Sequence, residues 1–133
     1  MNVGGGCIVG TLPESVQLPA DYFLVRGIFL ECRGPVEIDA ESTWGYRVTV
    51  LTRSHDITEG KPGAVIPKPV KVDKGAWIGS CAVLYNCHIQ EGAIVAAGAV
   101  VRSRTVEPYT MVEGNPARVV KRWDETRREW CKV

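Results

Sequence analysis

The chain carries two imidazoles, His55 and His88, the side chains whose ordinary pKa of about 6.5 lets them take or give a proton near neutrality. His55 stands in Ser54-His55-Asp56, where regularly spaced apolar residues give way to the proline- and glycine-rich stretch DITEGKPGAVIPKP, Asp56 to Pro69. A histidine at the mouth of a loop on a rigid scaffold is a candidate general base, because a hydroxyl is a weak nucleophile at neutral pH until its proton is removed. His88 ends the shortened piece LYNCH and reads as a strained corner or interface residue. The five cysteines, Cys7, Cys32, Cys81, Cys87 and Cys131, are odd in number and make no C-x2-C pair, which indicates neither a disulfide framework nor a zinc ribbon. They are expected to be reduced thiols, with Cys81 and Cys87 acting as small buried hydrophobes in the most aliphatic part of the chain.

The scaffold that must position these groups is expected to be one domain. At 133 residues with 45% hydrophobic side chains, it can bury about two-thirds of its extended surface. Sixteen basic residues against fifteen acidic ones argue against binding nucleic acid through phosphate neutralisation. No apolar run approaches the ~20 residues that cross a bilayer. The start MNVGGGCIVGTLPESVQLP lacks a basic segment leading into a hydrophobic core. No membrane partner and a cytoplasmic location are therefore expected.

Repetition is the strongest organising signal. From Val72 the chain divides into VDKGAW, IGSCAV, the short LYNCH, IQEGAI and VAAGAV, with an aliphatic residue first (Val72, Ile78, Ile89, Val95) and alanine fifth (Ala76, Ala82, Ala93, Ala99). A period of six with fixed large and small slots fits neither a helix nor a simple strand. It fits a coil of short strands that sends its first residue into a shared core and its alanine into a tight corner, with glycine easing the turns. The same frame runs through IDAEST, WGYRVT and VLTRSH, Ile38 to His55, so that three units of six make one triangular coil. LPADYF and LVRGIF, Leu18 to Phe29, start the stack, with Glu31-Cys32-Arg33-Gly34 as a corner loop. The reading is thus coils over 18–55 and 70–101, a loop excursion over 56–69, and an amphipathic helix over 116–131. On that helix Val119, Val120, Trp123 and Trp130 share one face and cap the open end of the solenoid.

Three stretches carry a family likeness: PVEIDAESTWGYRVTVLTRSHD (Pro35 to Asp56), KPVKVDKGAWIGSCAVL (Lys68 to Leu84), and GAIVAAGAVV followed by PYTMVEGNPARVVK, ending at Lys121. Together they cover roughly the last two-thirds of the chain. They resemble the hexapeptide-repeat acyltransferases, above all the sugar O-acetyltransferases of the maltose, galactoside, nodulation-factor and colanic-acid type. The resemblance implies an all-β fold, a single-stranded left-handed parallel β-helix, with that hand an exception to the usual right-handed crossover. It also implies a homotrimer with active sites between subunits, acetyl-coenzyme A (acetyl-CoA) as co-substrate, no metal, and a small-molecule acceptor, a sugar hydroxyl.

By that resemblance His55 holds the place of the catalytic histidine and acts as general base. A backbone N–H near Gly79 and Ser80 would meet the tetrahedral oxyanion, an interaction worth ~3–4 kcal/mol. Ala97 and Gly98 match the second contact of the pantetheine arm. Arg102, Arg104, Arg118 and Lys121 lie where the family has basic residues for the phosphorylated nucleotide end, Arg118 in the NPAR stretch being the firmest match. The chain departs from the family in lacking a helical N-terminal region and in the longer RSRTVEPY. Two other readings use the same fold: a non-catalytic trimeric scaffold, and a metal hydratase like the γ-type carbonic anhydrases. The hydratase holds zinc with three histidines, of which this chain has two, so a cysteine or carboxylate would have to complete the set.

Overall fold

The structure is a computed structural model that describes residues 4–133. Its strands are β1 (Cys7–Val9), β2 (Phe29–Glu31), β3 (Val36–Ile38), β4 (Thr43–Trp44), β5 (Thr49–Leu51), β6 (Arg53–His55), β7 (Val65–Pro67), β8 (Val70–Val72), β9 (Trp77–Ile78), β10 (Val83–Ile89), β11 (Ile94–Val95), β12 (Val100–Val106), β13 (Thr110–Glu113), β14 (Arg118–Asp124) and β15 (Glu129–Lys132). One short helix, α1 (Ala20–Leu24), precedes β2. The coil strands pair in parallel on three faces. Face I stacks β1, β2, β5 and the first halves of β10 and β12. Face II stacks β3, β8 and the second halves of β10 and β12. Face III stacks β4, β9, β11 and β13.

The core follows from the slot pattern. Leu30, Val50, Leu84 and Val101 stack inward on face I, and Ile38, Val72, Ile89 and Val106 on face II. Trp44, Ile78, Val95 and Val112 stack inward on face III. These twelve residues are all buried, as are the corner alanines Ala76, Ala82, Ala93 and Ala99. A larger side chain at such a corner would press on the neighbouring coil, because stacked strands lie about 4.8 Å apart.

The coil is seventeen residues long, not eighteen: Ile78 lies over Val95 and Val95 over Val112, while Leu84 lies over Val101. Two corners are four-residue turns, but the passage from face I to face II takes a single residue in the left-handed region, Asn86 (φ 50°) in one coil and Ser103 (φ 52°) in the next. Asparagine tolerates that region because its short polar side chain bonds locally, here donating from Nδ2 to the Ser103 hydroxyl at 3.2 Å. The strained corner expected at His88 is therefore at Asn86, and His88 stands mid-strand on face II.

Both ends of the stack differ from expectation. Residues 18–29 do not begin a coil. Instead α1 covers the first turn, with Phe23 fully buried and edge-on to Trp44 at 5.8 Å, and the Trp44 N–H donating to the Tyr22 hydroxyl at 3.1 Å. The helix expected over 116–131 is an antiparallel hairpin, β14 and β15, continuing face III from β13. Apolar spacing at Val119, Val120, Trp123 and Trp130 satisfies either geometry, and tertiary context selects the strand. The last coil strand offers an unpaired edge, β-branched valines suit a strand, and Trp123 sits across from Trp130 with ring centroids 5.8 Å apart. A turn closes the hairpin where Asp124 accepts the Arg127 N–H at 2.9 Å and Arg128 takes φ 54°.

Candidate functional site

The chain leaves the coil after Thr52, on the edge between faces I and II, and returns at Lys68, whose N–H donates to the Thr52 carbonyl at 2.7 Å. Between those points β6 and β7 form an antiparallel ribbon that carries His55 at the end of β6, opposite Val65. His55 is exposed, and its Nδ1 lies 2.9 Å from the Gly63 carbonyl oxygen. A carbonyl can only accept, so Nδ1 carries the proton and Nε2 of the neutral ring is left as the basic nitrogen. Beyond it the ribbon tip is held by backbone bonds from Asp56 to Ala64 (2.8 Å) and from Gly63 to Asp56 (2.7 Å). The Asp56 carboxylate accepts the Thr58 N–H at 2.9 Å, which holds its pKa below the ordinary value.

The root of the ribbon is fixed by a buried polar cluster that the sequence did not reveal. Thr52 is fully buried, its N–H donating to Glu31 Oε1 at 3.2 Å and its hydroxyl to the Glu31 carbonyl at 3.1 Å. Arg33 donates to the other Glu31 oxygen at 2.6 Å. Burial pushes the Glu31 pKa up, but the Arg33 hydrogen bond and charge and the two Thr52 donors outweigh it, so the net shift is downward. A carboxylate with a depressed folded pKa adds stability above its unfolded value, about 4.5, and loses it as pH falls through the folded value. Thermal unfolding across pH 2–6 is thus expected to show an acid-side loss of Tm that is smaller in Glu31→Gln, whose curve is flatter and whose Tm near neutrality is lower.

Gly79, Ser80, Ala97 and Gly98 come together on a different edge, between faces III and I. Gly98 N–H donates to the Ser80 carbonyl at 2.8 Å, and Gly79 N–H to the Val95 carbonyl at 2.7 Å. Since the Gly79 and Gly98 N–H groups are engaged, the Ser80 and Ala97 N–H groups are the ones at this corner that meet no acceptor among the described residues. Ser80 Oγ accepts the Tyr46 N–H from the coil before at 3.0 Å. A Cβ at Gly98 would meet nothing within 4 Å, so this corner of small residues is open at its surface.

The basic residues separate. Arg118 opens β14 opposite Glu113, one coil beyond the Ala97–Gly98 corner, and Lys121 lies opposite Met111 on face III. Arg102 stands on face I with its guanidinium 5.5 Å from the Tyr85 ring, and Arg104 donates to the Ala117 carbonyl at 2.8 Å. Cys81, expected to be buried, is exposed on the glycine-rich corner with φ 65°. Cys87 is buried, and desolvation pushes its thiol to about 12.

No protein-family model matches the chain. It is similar to two serine acetyltransferases of Arabidopsis thaliana, 35% and 34% identical over 102 residues, which is 75% of this chain but 28% and 30% of those proteins. A putative acetyltransferase of Staphylococcus aureus is 35% identical over 57 residues, 42% of this chain and 28% of that one. Among solved structures, a maltose O-acetyltransferase from Clostridium difficile superposes with TM-score 0.60 at 23% identity, covering 77% of this chain and 63% of the other. A hexapeptide-repeat-containing acetyltransferase from Vibrio cholerae gives 0.58 at 26%, covering 74% and 60%. An N-acyltransferase from Bacillus cereus, solved with dTDP and 3-hydroxybutyryl-CoA, gives 0.61 at 19%, covering 75% and 57%. The chain thus spans under a third of the sequence relatives' length.

Proposed function

We propose that this chain, which is similar to serine acetyltransferases and to a hexapeptide-repeat-containing acetyltransferase, transfers an acetyl group from acetyl-CoA to the hydroxyl of a small acceptor, with His55 as general base. The single observation that carries this reading is the placement of His55 and the small-residue corner on the two edges that flank face I. Face I is largely apolar at its surface. Phe29 is 37% exposed, and Leu51, Val83, Tyr85 and Val100, with Arg102 at their side, line a depression of about 250 Å³ there. Such a patch on a lone chain marks an interface. If three copies pack face I around a threefold axis, the His55 edge of one meets the Ser80 and Gly98 edge of the next. In this reading the coil winds left-handed, as in the family that it resembles.

Within such a cleft His55 Nε2 takes the acceptor hydroxyl's proton as oxygen attacks the thioester carbonyl. The Ser80 N–H donates to the oxyanion that forms. On collapse the C–S bond breaks, and the proton held on His55 goes to the departing sulfur, giving the free thiol of CoA and the acetyl ester. Arg118 and Lys121 supply cations for the phosphorylated end of the nucleotide. A hydroxyl acceptor is supported by relatives named for serine and for maltose, both hydroxyl-bearing molecules. The earlier expectation of a sugar stands as one member of that class.

Light scattering of purified protein together with a thiol-release assay over sugar and hydroxy-amino-acid acceptors tests this. A trimer that raises its Tm with CoA and releases thiol only with an acceptor is the expected result. A monomer at full turnover would remove the intersubunit cleft, and absence of both CoA binding and release would remove the enzyme.

A further inference from the structure

Face II carries an ordered set of polar groups that acetyl transfer leaves unused. Glu37, Lys71, His88 and Thr105 lie directly across from one another on four successive parallel strands. Two adjoining depressions follow this column and share Glu37 and Lys71. The larger, about 380 Å³, extends to Ser103 and Arg104. The smaller, about 140 Å³, extends to Asp39 and Asp73. Carboxylates therefore gather at one end, with Lys71 directly across from Glu37.

These charges are not neutralised by one another. Among the described residues Glu37, Lys71 and Arg104 make no ion pair. Arg104 is held in place by its Nη1 bond to the Ala117 carbonyl, yet its Nε–H is buried with no acceptor. Arg104 shares the inward column of buried Cys87 and Val70, so Lys71 is the cation exposed on the column of Glu37. His88 donates from Nε2 to Asp73 at 2.7 Å, which fixes its ring and turns the neutral Nδ1 into an acceptor. A plain anion would be repelled by Glu37 and a plain amine by Lys71, so a face with both signs in order selects a ligand with both signs.

We propose that face II binds a small zwitterion, its ammonium against Glu37, Asp39 and Asp73 and its phosphate or carboxylate against Lys71. The charge separation that fits is one to two strand spacings, roughly 5–10 Å. Binding here is independent of the acetyl-transfer reading, and His55→Ala leaves it unchanged.

The test is calorimetric or NMR titration of the full chain with phosphoethanolamine, γ-aminobutyric acid, inorganic phosphate and ethanolamine. At least one zwitterion is expected to bind about tenfold more tightly than phosphate or ethanolamine alone. The two zwitterions decide between a phosphate and a carboxylate end. Glu37 and Lys71 are exposed, so neutral variants keep the fold, which Tm verifies. Lys71→Gln should weaken the zwitterion about tenfold. Glu37→Gln should weaken the zwitterion while tightening inorganic phosphate, two changes of opposite sign that a nonspecific surface effect does not produce. Equal affinity for zwitterion and half-molecules, an unchanged preference in Glu37→Gln, or no binding at millimolar concentration would overturn the proposal.

Discussion

His55→Ala is expected to lower the rate of acetyl transfer by about 10²–10⁴-fold, the range that a positioned general base contributes, while the CoA-induced rise in Tm and the oligomeric state stay as they were. The residue is exposed at the end of β6 and contacts the rest of the chain through its Nδ1 bond to Gly63, so its removal opens no cavity in the core. The loss should fall on turnover rather than on CoA binding, because the corner of Ser80 and Gly98 lies on the other edge of face I. Single-turnover measurement with saturating acetyl-CoA separates the two. Retention of wild-type turnover would falsify the role given to His55. Loss of CoA binding along with turnover would instead make the ribbon part of the CoA groove.

The second large effect is structural. Gly79→Ala is expected to lower Tm by about 10 °C, a destabilisation of roughly 3 kcal/mol in a domain of this size. A Cβ at Gly79 would lie 2.6 Å from the Ala97 nitrogen and 2.8 Å from the Val95 carbonyl oxygen, both backbone atoms of the next coil. Neither can yield without opening the Gly79 to Val95 hydrogen bond, since the spacing between coils is set by the whole ladder. Thermal scans with and without CoA decide whether the glycine serves the fold or the ligand. A variant with unchanged Tm but abolished CoA shift would mean the space above Gly79 belongs to the co-substrate and not to the coil.

The parts of the fold legible in the sequence are those set by a short period. Aliphatic residues such as Ile78, Val95 and Val112 recur in one slot because each must enter the same core, and alanines such as Ala82 recur because each corner has the same width. Length was harder to read, since the missing residue of LYNCH recurs one coil later as the Ser103 corner rather than being a local flaw. The ends were misread for a common reason: an open solenoid face accepts whatever apolar element reaches it. Val119, Trp123 and Trp130 could cover it as a helix or extend it as a hairpin, and only the free edge of β13 decides.

Of the candidate site, His55 and the corner of Gly79, Ser80, Ala97 and Gly98 were found through spacing and family likeness. Glu31 and Thr52, which fix the ribbon root, were not, because their contact joins residues one coil apart with no shared motif. The Asp73–His88 pair was hidden in the same way, fifteen positions apart and thus two short of a full turn of the coil. A scan for polar residues separated by about one coil length would have found both.

The single-residue passage at Asn86 and Ser103 sets the unit in which this molecule can change length. A duplication or deletion of seventeen residues leaves every remaining side chain on its own face and every ladder in register, as the stacking of Ile78, Val95 and Val112 already displays. A change inside a core strand that is not a whole turn shifts core residues outward in the strand that follows. Growth by whole turns is thus the one inexpensive route to a longer groove or a wider contact between copies. The ribbon between Thr52 and Lys68 escapes the rule because both its ends return to the same point on the ladder, so its length and composition are free to vary with the molecule it meets.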